Sequence, residues 1–263
     1  MDKLWNPEAV SYEDHWAKFS SSFWEHCIPK DFEVIFAYVA FFVAQVVLAA
    51  IVPGKWMDGL PTKEGKKLKY LCNGYLCYYI CLWGLLVVDF FDYDFSKKLS
   101  LACFSKGAFL DCLPVTYGWG KGIYPLTHIY DNFGEYLFVS TVIGDLTSVG
   151  WYVYGIMTPQ PDAESQTGNV VYDFFMGSVL YPRFGIVDIK MIAECRWSWL
   201  TLLMITLSSA VHQMTNIDGS RDFNKISWSM WIMLFAHWLY SNATVKGEHY
   251  IPGTWDMFHE KFG

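Results

Sequence analysis

The sequence predicts an all-α fold, a polytopic transmembrane helical bundle of about five spans. Three observations carry this. Hydrophobic residues make up 53% of the 263 and aromatics 19%. Only 17% are charged, against roughly a quarter in soluble domains. The apolar residues gather into long runs divided by short polar links, and mean hydropathy is positive at +0.20. The net charge of −7 argues against nucleic acid as a partner. The seven cysteines show no C-x-x-C pair and no His/Cys cluster at zinc spacing, so neither a disulfide framework nor a metal is expected.

Residues 1–33 mix acids, lysines and aromatics and contain no apolar signal-peptide core. Ser11 and Asp14 suit a capping box, and Trp16, Phe19 and Phe23 recur at helical spacing, so an interfacial amphipathic helix is expected. The first span, 34–52, holds nineteen residues with Gln45 as its only polar side chain, and Pro53-Gly54 ends it. Lys55, Lys63, Lys66, Lys67 and Lys69 then outnumber Asp58 and Glu64, which places this loop in the cytosol and 1–33 in the lumen. That orientation calls for a further span upstream. The second span is 72–88, with Cys77 and Cys81 as packing residues and Asp89, Asp92 and Asp94 at its far end. Residues 95–131, with the YGWGKG run at 117–122, read as lumenal or re-entrant. The third span, 133–154, contains Asp145 near its middle, where a carboxylate is costly and is expected to face the bundle interior, neutral or hydrogen-bonded. Spans at 197–214 and 226–243 carry His212 and His237, both expected to be packed and hydrogen-bonded.

Gly168 to Arg183, GNVVYDFFMGSVLYPR, stands apart from these runs. Gly168, Gly177 and Pro182 permit or fix backbone angles that other residues resist. Tyr172, Asp173 and Arg183 add a phenol, a carboxylate and a guanidinium, which alone are compatible with a membrane-surface loop. The stretch also resembles the G-x-x-x-Y-D-x-F-x-G-x-x-L-x-P-R box of the membrane sterol reductases, the family of the C14 and C7 sterol reductases and the lamin B receptor. Tyr181, where most members have Asn, is similar to the fungal C24(28) branch. So are DKLWNPE at 2–8, GLPTKEGKKLKYLCNGY at 59–75, VDIKMIAECR at 187–196 and the segment 236–263 ending in TWDMFHEKFG.

The resemblance implies an NADPH-dependent reduction of the C24(28) double bond of an ergosterol precursor in the endoplasmic reticulum membrane. It implies a sterol taken from the bilayer, contact with membrane lipid, and other sterol-pathway enzymes as neighbours. The family fold has roughly ten spans, and most of its NADPH contacts lie in an Arg/Lys-rich segment and a terminal H-R-x-x-R-D motif that these 263 residues do not contain. The chain is therefore expected to be inactive alone. Ring reduction at C14 or C7, and a non-enzymatic sterol-binding or receptor-like protein, remain as alternatives.

An unactivated alkene accepts hydride only once a proton gives one carbon cationic character, so a general acid must face the nicotinamide in a dry pocket. Tyr240 matches a family tyrosine and is the expected proton donor or relay, sharing a helix face with His237 and Thr244; an interfacial aromatic anchor is the competing role. Glu248 and Asp256 match acidic family positions expected to orient a polar network or bind the cofactor. Thr254 is assigned to the cofactor as well, although Thr254 and Asp256 also suit a helix cap. Asp173 and Arg183 are expected to pair and fix the box beside the cofactor mouth, with Tyr172 stacking or hydrogen-bonding there.

Overall fold

The computed structural model describes residues 12–30, 32–90, 126–158 and 167–262. Expectations resting on 2–8, Ser11, Asp92, Asp94 and the 117–122 run lie outside them. Helix α1 (Tyr12–His26) is followed by α2 (Glu33–Ile51), a β-hairpin of β1 (Lys55–Pro61) and β2 (Lys67–Cys72), and α3 (Gly74–Phe90). Then come the short α4 (His128–Asp131), the long α5 (Phe133–Met157) and the one-turn α6 (Val170–Phe175). A tight hairpin of β3 (Arg183–Phe184) and β4 (Val187–Asp188) leads through a π-helical turn, Met191–Trp197, into α7 (Ser198–Met214). The chain closes with α8 (Trp228–Lys246), a 3-10 segment Glu248–Gly253 and α9 (Trp255–Phe258).

The core forms where α2, α3 and α7 meet. Ala37, Ala40, Ala44 and Leu48 follow one another by three or four positions and so make one stripe of α2. Small side chains on that stripe let neighbouring backbones approach. It faces Cys77, Tyr78, Cys81 and Leu82 of α3 and Leu200, Leu203 and Met204 of α7, all buried. Gln45 lies within this interface and donates to Cys81 Sγ at 3.0 Å. Among the described residues α2 alone has both the length and the composition to cross a membrane.

Two features depart from expectation. Residues 55–72 form an antiparallel hairpin rather than a loop, with Lys55 opposite Cys72 and Met57 opposite Tyr70. Gly65, at φ 77°, supplies the left-handed position of its turn. Its outward lysines hid the strand pattern, and only Gly59 and Tyr70 are buried along it. Asp145 does not face the interior but is exposed on α5, a helix with only Val139 and Gly155 buried. The apolar side chains around it, such as Leu146 at 67% exposure, are uncovered too.

The 168–183 box is pinned to the end of the chain. Val179 and Phe262 exchange backbone hydrogen bonds of 3.4 and 2.6 Å. Gly177 makes this possible, with φ at 74° and a position where a Cβ would lie 2.9 Å from the carbonyl carbon of Lys261. Gly177→Ala should therefore cost about 1–2 kcal/mol from the left-handed backbone alone, and more from the collision. Gly185→Ala, at φ 59° with nothing within 4 Å, carries only the backbone term. Thermal unfolding of both variants in detergent checks the order; equal losses would show that the 177–262 contact contributes nothing.

Candidate functional site

A layer of charged residues collects at one end of the helices, where the first hairpin, the box, the π-helical turn and the 248–262 segment converge. Its centre is Arg196, whose Nε donates to Glu248 Oε1 at 2.6 Å and whose Nη2 lies 2.5 Å from the same oxygen in an ion pair. Both residues are buried, at 3% and 2% exposure. Glu248 Oε2 accepts the backbone N–H of Gly74 at 2.5 Å. That N–H stands at the first turn of α3, where the helix dipole also favours an anion. A Cβ at 74 would lie 2.7 Å from the carboxylate, so a side chain there would displace Glu248 from this contact. Arg196 Nη2 also reaches the carbonyl of Leu71 at 3.3 Å, fixing the end of β2.

A second group lies alongside. Arg183 Nε is 3.3 Å from Asp188 Oδ2 across the β3–β4 hairpin. The two are not aligned for a hydrogen bond, so Arg183 Nε and Nη2 and Asp188 Oδ2 have no hydrogen-bond partner. Arg183 donates through Nη1 to the carbonyl of Lys69 at 3.0 Å and lies over the Tyr70 ring, 4.4 Å from its centroid. Burial pushes the Asp188 carboxyl above the usual carboxylate range, against the pull of Arg183. Lys190 is 1% exposed, and its Nζ donates to the carbonyls of Asp256, at 2.6 Å, and Glu260. Burial draws its ammonium below the ordinary lysine value, while Glu194, Asp188, Glu260 and Asp256 hold it up.

Against this layer the sequence-derived site residues fall into three groups. Glu248 is at the centre, in a buried ion pair whose partner, Arg196, sequence reasoning missed. The two are 52 positions apart and nothing local links them. Asp173 and Arg183 do not pair with each other, a correction with a simple cause. Asp173 is turned back on the loop before it, accepting from Thr167 N and Oγ1 at 2.9 and 2.8 Å and from Gly168 N at 3.1 Å. Arg183 is committed to Asp188 instead. Thr254 precedes α9, but its hydroxyl donates to the Ile251 carbonyl at 2.8 Å rather than capping. Asp256 takes part through its carbonyl, while its side chain is exposed.

The third group is exposed. Tyr172 is 52% exposed on α6, whose first N–H groups are capped by Asn169. Tyr240 is 56% exposed on α8, with its ring 4.3 Å from that of Trp199. Thr244 Oγ1 donates to the Tyr240 carbonyl at 3.0 Å. The neighbouring histidines have ordinary structural partners: His237 Nδ1 meets Thr206 Oγ1 at 2.6 Å, and His212 sits 3.4 Å from Asp131 against the Tyr130 ring. Among the described residues no cluster of His, Cys, Asp and Glu could hold a metal ion.

These features belong to a mostly helical protein with a polar layer at one end of its bundle. The family model for ergosterol biosynthesis, ERG4/ERG24, matches residues 1–106 and 96–263, and the chain belongs to that family. It is 31% identical over 259 residues to a delta(24(24(1)))-sterol reductase of Gibberella zeae, covering 97% of this chain and 37% of that protein. A second delta(24(24(1)))-sterol reductase, from Aspergillus fumigatus, is 29% identical over 86% of this chain and 41% of its own length. A delta(14)-sterol reductase of Methylotuvimicrobium alcaliphilum is 28% identical over 92% of this chain and 48% of its own. The chain thus spans less than half the length of each of these relatives. It is a helical membrane protein of a sterol reductase family, and the resemblance read from the box holds.

Two outcomes test the layer. Glu248→Gln leaves the Arg196 charge buried without a counter-ion and should destabilise by about 3–5 kcal/mol. The double variant Arg196→Met, Glu248→Gln should recover part of that loss in chemical denaturation; failure to recover any would mean that the pair is not the partner relation described.

The pH response of Asp173 is the second. The Thr167 N–H, more than any other group, holds its carboxyl below the usual carboxylate value. A depressed folded-state value gives stability that is present above the unfolded value of about 3.9 and lost as pH falls through the folded one. Amide protection at Thr167 and Gly168 should fall across that window in the wild type and stay level in Asp173→Asn. Parallel profiles in hydrogen exchange would remove Asp173 as the cause.

Proposed function

We propose that this chain supplies one part of an NADPH-dependent reductase acting on the C24(28) double bond of an ergosterol precursor, in a multi-pass fold of the endoplasmic reticulum membrane. The observation that carries the reading is the union of the box with the 248–262 segment. Val179–Phe262, Lys190 with its two carbonyls, and Arg196–Glu248 join the two on one side of the bundle, as a shared cofactor mouth requires. The similarity to two delta(24(24(1)))-sterol reductases supports this bond over the ring positions. The apolar runs of α2, α3, α5, α7 and α8 would be its five spans, although α2 alone among the described helices has both the length and the composition to cross unaided, and the sterol would enter from the bilayer.

The donors present suit a dinucleotide with anionic groups. Arg183 Nη2 and Arg196 Nη1 have no hydrogen-bond partner, and a guanidinium is the side chain best matched to phosphate. Arg183 would hold the cofactor, with Tyr172 flanking it and Asp173 keeping the box loop folded; Thr254, just before α9, and Asp256 on it would bound the same mouth. NADPH, when bound, supplies hydride. This chain's own contribution is the proton: the Tyr240 hydroxyl, on the outward face of α8, donates it to one alkene carbon once bound sterol covers that face, and the phenolate regains a proton after the product leaves. Glu248 acts indirectly by fixing the turn that follows α8.

The test is a chimera in which residues 1–263 replace the matching portion of the Gibberella zeae reductase, expressed in a strain without C24(28) reductase. Sterol profiling should show the C24(28)-saturated product, and Tyr240→Phe should lower turnover on the order of 100-fold or more with little change in KM. Reduction of a C14 or C7 double bond instead would favour the ring reading, which the Methylotuvimicrobium alcaliphilum relative keeps open. A folded chimera that reduces none of these bonds would overturn the enzymatic reading.

A further inference from the structure

The seam between α7 and α8 holds an imidazole with one nitrogen committed and the other open. His237 is half-buried there, and its Nδ1 lies 2.6 Å from Thr206 Oγ1 of α7. A threonine hydroxyl has a single proton, and Thr206 donates it to the Leu202 carbonyl at 2.9 Å. Towards His237 the hydroxyl can therefore only accept, so Nδ1 carries a hydrogen in the neutral ring as well as in the charged one. The neutral imidazole is held in one tautomer, with its lone pair on Nε2. Nε2 has no hydrogen-bond partner among the described residues, and the protein does not enclose it. Every proton that this ring gains or loses passes through Nε2.

Tyr240 stands three positions further on, on the same face of α8. Long side chains on a helix lean back towards its N-terminus, so the Tyr240 ring lies over the turn that holds His237. Both also turn towards α7, Tyr240 packing on Trp199 and His237 bonding to Thr206, two residues seven positions apart on that helix. Helix α7 has no Asp, Glu, Lys or Arg from 198 to 214, and α8 has none from 228 to 245. On these two helices His237 is therefore the group nearest Tyr240 in the chain that exchanges protons around neutral pH.

We infer that His237 is a positioning residue that restores the Tyr240 proton after each turnover, an inference that rests on the reading of Tyr240 as the donor to the alkene. The phenol O–H bond breaks as a C–H bond forms at one alkene carbon, and the other carbon takes the hydride that the dinucleotide supplies. The phenolate then takes the Nε2 proton of the His237 imidazolium. The neutral imidazole left behind keeps its Nδ1–H on Thr206 and regains a proton at Nε2 from water. His237 touches neither sterol nor cofactor in this sequence and acts through Tyr240 alone.

The chimera that carries residues 1–263 tests this. His237→Asn keeps an N–H for Thr206 but removes Nε2, and should lower kcat about tenfold or more while sterol KM and thermal stability hold. Added to Tyr240→Phe, the same change should cost nothing further, because no phenol is left to recharge. His237→Ala should regain turnover when imidazole is added, and should not regain it in the Tyr240→Phe background. Thr206→Val, which leaves the imidazole in place but releases its tautomer, should lower kcat by a smaller factor. A purely structural His237 gives the reverse pattern: Asn restores kcat, imidazole does nothing, and the losses multiply in the double variant. Any of these three results, with Tyr240→Phe still impaired, would overturn the inference and leave the role of Tyr240 standing. An inactive folded chimera, or an unchanged kcat in Tyr240→Phe, would overturn both.

Discussion

A buried arginine and a buried glutamate hold this structure's polar end together. Removing two charges from water costs several kcal/mol per ion, and the contact compensates only where geometry is good and spare lone pairs are filled. Here Arg196 donates one N–H to an oxygen of Glu248 and holds a second guanidinium nitrogen in ion-pair contact with it, and the other oxygen takes the first N–H of α3. One carboxylate thereby joins three pieces of chain: the π-helical turn before α7, the start of α3 and the segment after α8. The absence of a side chain at Gly74 is part of the same contact. The pair's value is specificity of arrangement more than net stability, since apolar residues of similar volume could pack the space without fixing where each segment ends.

The rest of the charged layer follows from that arrangement. Once Arg196 sets the π-helical turn, Lys190 is carried under the last residues of the chain, where the Asp256 and Glu260 carbonyls take its protons. Those residues then meet Val179, so the box is folded against the chain end by backbone bonds, and Arg183 is left between Asp188 and the Tyr70 ring. The first hairpin closes the layer from the other side, because Tyr70 and Leu71 each supply a contact to an arginine. A wide π-helical turn at this junction fits the frequent use of such turns at functional sites.

How much of this could be read from the residues depends on the range of the signal. Long apolar runs are local, and each of the five falls on a helix whose ends differ from expectation by a few residues. The box was visible because Gly168, Gly177 and Pro182 are conformational marks that side-chain chemistry cannot disguise. The first hairpin was hidden because five lysines suggest a solvated loop, and its one buried aromatic, Tyr70, gives no alternation to follow. Asp173 and Arg183 looked like partners because both lie in the box, yet a carboxylate six positions after Thr167 finds nearer donors in its own loop. Nothing local marks Arg196 as half of a buried pair, since its partner lies 52 positions on. Only the fold brings Glu248 to it.

The same reasoning explains why a buried ion pair matters for an exposed tyrosine. Tyr240 has no hydrogen bond through its phenol among the described contacts and leans on Trp199 by ring packing alone. Its position is therefore set by its helix rather than by its own partners. Helix α8 runs through Lys246 and Gly247 directly into Glu248, which lies roughly 12 Å along the axis from Tyr240 at 1.5 Å per residue. Ser241, fully buried and bonded to the Tyr78 hydroxyl at 2.8 Å, fixes the rotation of α8 one residue away. Glu248 fixes its axial position. With rotation and rise both determined, the outward placement of Tyr240 on α8 is determined too. The direction of the phenol is thus set by the core contacts of α8, not by partners of the hydroxyl itself.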